Sequence, residues 1–183
     1  ALNQLLYSMN NEYGSHLVLE DVNTKQTQFI TSDSSAESKS GYADNAQWNN
    51  AGDEFVYLYQ DDEVCELRLH SIKPLDAKTN KTEVLQNCGQ ANQIAFVFSP
   101  DDQIIYFVER KSAYTPFEVY AYDRQQQHRW RLAQPIANGL GNHSIDVHTK
   151  SGEILLVSDQ VPGKSVLFRL DTIKNSFEKI YDL

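Results

Sequence analysis

Clusters of short apolar strands return about every fifty residues, and that period constrains this chain more than any other feature. The run Trp48-Asn49-Asn50-Ala51-Gly52-Asp53-Glu54-Phe55-Val56-Tyr57-Leu58-Tyr59 reads as an apolar residue, a polar turn and an apolar strand. The same layout comes back over Phe98–Val108 and again over Val147–Val157. The strand starts Phe55, Ile104 and Ile154 stand 49 and 50 positions apart. The runs are too rich in β-branched and aromatic residues for helix, and none shows a helical stripe. A second element recurs with them. Leu17–Asp21, Glu118–Asp123 and Val166–Asp171 each end on an aspartate, then a polar turn, then a further apolar strand. From Asp21 to Ile30, Asp123 to Leu132 and Asp171 to Ile180 the distance is nine positions each time.

A unit of about fifty residues with several strands has the length of a propeller blade. The expected fold is therefore all-β, a β-propeller or partial propeller of about four blades forming a single propeller-like domain over residues 1–183. The blades run over about 1–31, 43–88, 93–134 and 143–181. The first contains Leu5–Met9, His16–Asp21 and Gln28–Thr31 and lacks its innermost strand. The expected linkers are 32–42, 89–92 and 135–142, rich in Gly, Ser, Asn or Pro. The chain opens at Ala1 without an initiator Met, which suggests a fragment of a longer protein. The strand Leu5-Leu6-Tyr7-Ser8-Met9 is apolar, uncharged and without an inner partner. It is expected either to meet a strand of the parent protein or to drive self-association.

Composition narrows the function. A formal charge of -9 argues against direct nucleic-acid binding, which needs clustered cations to release counterions. The one basic patch, Arg124, His128, Arg129 and Arg131 around Trp130, reads as an outer strand with a solvated face. No apolar run approaches the ~20 residues of a membrane helix. Cys65 and Cys88 flank the turn-like stretch Pro74–Lys78, and their midpoint, (65 + 88)/2 = 76.5, falls inside it. Two antiparallel strands folded about that turn place the cysteines opposite each other as a disulfide, the alternative being two buried free thiols. A disulfide implies an oxidising compartment, periplasmic or otherwise extracytoplasmic.

No catalytic constellation stands out. There is no G-x-S-x-G elbow and no phosphate-cradling Gly loop, so neither a catalytic residue nor a cofactor is expected. His143 and His148 alternate to opposite strand faces, and His148 with Asp146 falls short of the three or four ligands zinc takes. Asp61-Asp62-Glu63 and Asp101-Asp102 lack the spacing of a calcium loop and read as turns. Exposed tyrosines near loops are the candidate interaction anchors, namely Tyr13, Tyr59 and Tyr114, with ordinary outer-strand packing as the alternative.

The motif Phe98-Ser99-Pro100-Asp101-Asp102 followed by Ile104-Ile105-Tyr106-Phe107 resembles the W/F-S-P-D-G … I-A-Y/F signature of TolB-type, WD-repeat-like propellers. Val119–Asp123, Leu17–Asp21 and Leu167–Asp171 resemble the I-Y-V-x-D strand of such blades. The resemblance spans nearly the whole chain, strongest over the third blade. It implies a non-enzymatic extracytoplasmic domain that senses, or docks, a protein or small-molecule ligand. Propellers similar to the periplasmic sensors of ToxR- and CadC-like membrane-anchored winged-helix transcriptional regulators fit that role. The alternative it implies is an accessory or gating propeller of a serine hydrolase or peptidase.

Overall fold

The computed structural model describes residues 3–11, 14–30, 41–72, 81–88, 95–110, 115, 117–133, 143–161, 164–171 and 173–183. The described residues contain strands and turns and no helix, hence none long and apolar enough to cross a membrane. The strands are β1 (Gln4–Asn11), β2 (Gly14–Asp21), β3 (Thr27–Phe29), β4 (Gly41–Trp48), β5 (Glu54–Asp61), β6 (Cys65–Ser71), β7 (Lys81–Asn87), β8 (Ala95–Phe98), β9 (Ile104–Glu109), β10 (Glu118–Asp123), β11 (His128–Arg131), β12 (His143–Val147), β13 (Ile154–Val161), β14 (Lys164–Asp171) and β15 (Ser176–Asp182). Contacts divide the chain into two compact units, Ala1–Gly89 and Gln90–Leu183.

In the second unit, β8 to β11 and β12 to β15 form two four-stranded antiparallel meanders. Alternation along each strand decides which side chains are covered. Ile145, Val147, Ile154, Leu156, Val166, Phe168 and Leu170 of the last sheet join Val108, Phe117 and Val119 in one buried cluster. In the first unit β4 to β7 form the same meander, and β1 to β3 make a three-stranded blade. Leu17 and Leu19 of β2 pack with Ala43, Phe55, Tyr57 and Ile72.

One feature departs from separate blades. Gly14 and Ser15 of β2 pair in parallel with Gly41 and Tyr42 of β4, so the first two blades run into one seven-stranded sheet. Glycine stands at the start of both strands, where a missing side chain lets two backbones approach. Gly41 and Tyr42 are therefore strand, although the sequence places them in a linker. The rest of the expected linkers, apart from those two positions, lies outside the described residues.

The turns carry the repeat more strictly than the strands do. The backbone N–H of Asn49, Ser99 and His148 donates to the carbonyl of Glu54, Ile104 and Glu153, five positions on in every case. The turn side chain then satisfies the loop. The Asn49 Oδ1 accepts from the N–H groups of Gly52, Asp53 and Glu54, and the Ser99 Oγ accepts from the Ile104 N–H at 2.9 Å. Each turn needs one left-handed residue, supplied by Gly52, Asp102 and Gly152 at φ of 73°, 58° and 71°.

The aspartates that end the third strand of a blade act alike. Asp21, Asp123 and Asp171 each accept, through Oδ1, from the N–H groups two and three positions on. A left-handed residue then follows at the fourth position: Lys25, Gln127 and Asn175, with φ of 59°, 51° and 50°. An aspartate turn closed by a left-handed residue returns the chain antiparallel, which explains the equal nine-residue spacing.

Candidate functional site

In the third blade, the turn before β9 and the turn after β10 meet at one end of the sheet. The Arg124 guanidinium donates to the Asp102 carbonyl at 2.7 Å, and the Arg124 N–H donates to the Gln103 carbonyl at 3.1 Å. The Gln125 amide donates to the Gln103 side-chain oxygen at 2.7 Å. Asp101 is fixed by the Ser99 hydroxyl at 2.6 Å and the Gln103 N–H, and these bonds hold its carboxyl below the ordinary range. The exposed side chains of Asp101, Gln103 and Gln125 are thus held by hydrogen bonds within and between these two turns, with Gln126 and Gln127 exposed beside them.

Tyrosine, arginine and glutamate interlock across neighbouring strands of the second and third blades. In the second blade the Arg68 guanidinium lies 3.7 Å above the Tyr59 ring and also binds Glu66 at 2.7 Å. The Tyr59 hydroxyl donates to Asp61 at 3.0 Å, and burial with the Asp61 charge pushes its pKa up. In the third blade Arg129 lies 3.7 Å above Tyr120 and pairs with Glu109, while Arg131 pairs with Glu118. Stacking and ion pairing therefore neutralise most of the basic patch read from the sequence. What stays open on β11 is His128 and Trp130, stacked on each other at 5.9 Å.

The tyrosines chosen from the sequence are not brought together among the described residues. Tyr59 lies within β5, two residues before its end, half-buried and engaged by Arg68 and Asp61. Tyr13 and Tyr114 lie outside the described residues. Arg68, which organises the first tyrosine cluster, carries no signal in sequence beyond its place on an alternating strand, and Arg129 stands out there only as part of the basic patch.

The remaining candidates resolve locally. Asp61 accepts from the Glu63 and Val64 N–H groups and so forms a turn. His148 commits Nδ1 to Ser151, and Asp146 accepts from the Val147 N–H. The side chain of His143 lies outside the described residues. Among the described residues no group of three or more His, Cys, Asp and Glu could hold a metal. Cys65 and Cys88 form a disulfide with Cα atoms 5.2 Å apart, and the Cys88 N–H donates to the Cys65 carbonyl. Their positions continue the register of β6 with β7, in which Glu66 faces Asn87.

No protein-family model and no curated protein sequence matches the chain. Solved structures do. TolB from Acinetobacter baumannii superposes on 97% of this chain with a TM-score of 0.73 and 16% identity. A putative TolB from Agrobacterium tumefaciens covers 99% with a TM-score of 0.68 and 15% identity. The fold is that of TolB-like β-propellers. A prolyl endopeptidase also covers 100% of the chain, with a TM-score of 0.68 and 8% identity. The chain spans 41% and 62% of the length of the two TolB structures and 28% of the endopeptidase.

Proposed function

We propose that this chain is a non-catalytic interaction propeller that docks a protein partner outside the cytoplasm, through the turn end of its blades. The observation that carries the reading is the TolB-like fold over 97% of the chain, joined to the Ser-Pro-Asp motif of the third blade. The Cys65–Cys88 disulfide supports an oxidising compartment, because cytosolic thiols are kept reduced. The frame around Gln103, Arg124 and Gln125 is the docking patch, since pre-ordered polar groups lose little entropy on binding.

The test is photo-crosslinking in intact cells from residues introduced at Gln103, Gln125 and Gln126, with thiol trapping of Cys65 and Cys88 alongside. The expected result is a discrete protein adduct from these positions and not from Val84 on β7, with both cysteines protected from alkylation until a reductant is added. Free thiols in intact cells, or adducts independent of position, would overturn the reading.

A gating propeller of a peptidase is the second reading, favoured by the likeness to the prolyl endopeptidase. A G-x-S-x-G elbow in sequence flanking this chain would select it. The narrower role of sensor in a membrane-anchored winged-helix regulator draws on the cysteine pair alone and gains nothing from these structural likenesses.

A further inference from the structure

Arg110 follows directly on β9 and stands across from Phe117, one step beyond the Glu109–Glu118 pair that ends the ladder of β9 with β10. Alternation puts it on the face of Val108 and Phe117, the side of the third blade that packs against the fourth. Its guanidinium lies 5.0 Å from the centroid of the buried Phe117 ring. Arg110 is half-buried, and its Nε is buried without a hydrogen-bond partner. The two terminal nitrogens are not buried and open to solvent.

Every other arginine of the chain is committed. Arg68, Arg129, Arg131 and Arg169 pair with glutamates, and Arg124 donates to the Asp102 carbonyl. Among the described residues Arg110 meets no carboxylate, carbonyl or hydroxyl, and the Phe117 ring satisfies none of its N–H donors. Partial burial of a cation without an acceptor is costly. A second unmatched donor faces the same apolar cluster. Ser158 of β13 shares the face of Ile154 and Leu156, stands across from Val166, and is 0% exposed with its Oγ unpaired. The chain leaves β11 at the Arg110 end of the third blade and enters β12 across from Ser158, so the two groups lie at the sheet ends that residues 134–142 join. Both walls of this interface are consecutive blades of the chain.

We propose that Arg110 anchors the carboxylate of a small organic acid at this end of the interface between the third and fourth blades, with the Ser158 hydroxyl as the second donor. The terminal nitrogens form a planar fork, which matches the two coplanar oxygens of a carboxylate. A carboxylate bound there supplies the acceptor that the protein does not provide, and it neutralises the one arginine without a partner. The formal charge of -9 disfavours a multiply charged anion, so the ligand is a monoanion and not a phosphate dianion. Phe117 beneath the guanidinium keeps water from one side of the ion pair and thereby strengthens it. The site lies at the opposite end of β9 from the turns proposed for docking, so either proposal stands without the other.

Phenylglyoxal modification of the wild-type chain, mapped by mass spectrometry, is the first test, with sodium propionate as the probe. Arg110 is expected to react before the other arginines, because its fork alone is unpaired. Saturating propionate is expected to slow that reaction several-fold and to leave Arg169, held by two glutamates, unchanged. The Arg110 Nε–H resonance is expected to shift saturably on propionate titration, and Arg110→Gln to abolish propionate binding. Ser158→Ala removes an unmatched buried group, so it should keep the wild-type unfolding midpoint while weakening propionate several-fold. Absence of protection, or equal protection at every arginine, overturns the proposal. Sodium phosphate protecting Arg110 better than propionate at equal ionic strength overturns the carboxylate assignment, and an unchanged propionate affinity in Ser158→Ala overturns the two-donor site.

Discussion

Removing the disulfide gives the sharpest energetic prediction for the first unit. Cys65 and Cys88 are 23 residues apart in sequence and fix the open ends of β6 and β7. In the chain-entropy treatment, closing a loop of that length takes about 11 cal/mol/K from the unfolded ensemble, or about 3.4 kcal/mol at 25 °C. Cys65→Ala/Cys88→Ala should therefore lose stability of about that size, a large share of the 5–15 kcal/mol typical of a folded domain. The assay is urea unfolding followed by Trp48, which lies at the end of β4 and packs edge-on against Phe55 in the same unit. Trp130→Phe removes the other tryptophan from the signal. Reductant added to the parent protein should reproduce the shift of the double variant. A change below about 1 kcal/mol, or a reductant effect unlike that of the variant, would refute the loop-closure reasoning.

Three further outcomes follow from particular residues. Gln127→Gly and Lys25→Gly should each stabilise by roughly 1 kcal/mol, since both hold a left-handed φ that costs a side chain about that much; calorimetry reads it, and a loss of stability would contradict the turn geometry. Gly52→Ala and Gly152→Ala should destabilise although nothing lies within 4 Å of the added carbon, because the strain is purely conformational. His70 is 4% exposed, stacked on Phe55, with Nδ1 bonded to Thr82 and Nε2 buried without a partner, and burial lowers its pKa. Its neutral form contributes stability fully above the unfolded value near pH 6.5, and that contribution is lost as pH falls toward the lower folded value. His70→Phe should flatten this acid limb, and an unchanged slope would contradict it.

The fold was legible where local chemistry repeats. Phe55, Ile104 and Ile154 open strands because alternation survives at those positions, and Asp21, Asp123 and Asp171 mark turns because a carboxylate beside two free N–H groups prefers that loop. The left-handed residues after them were not read from the sequence: Lys25 and Gln127 are not types that favour that conformation, and Asn175, which does, is one asparagine among many. The bulges at Leu85 and Ile180 were invisible, because β7 and β15 are edge strands of mostly exposed residues in which no buried face marks the phase of alternation. So was the bridge from Gly14 to Gly41, which depends on a contact between two blades. Tyr59 was read as close to a loop. What the sequence could not supply was Arg68 above its ring, because a cation on the neighbouring strand is placed by register, and register belongs to the folded sheet.

The central claim is that four strand clusters pair in the stated registers. Cross-strand backbone contacts in solution by NMR test it directly. The account requires continuous lines of neighbours Tyr7–Val18–Phe29, Ala43–Tyr59–Glu66–Asn87, Val97–Tyr106–Ala121–Trp130 and Ile145–Leu156–Phe168–Lys179. Helical shifts between Trp48 and Tyr181, or lines displaced by a single residue, would contradict it, since one step reverses every buried face.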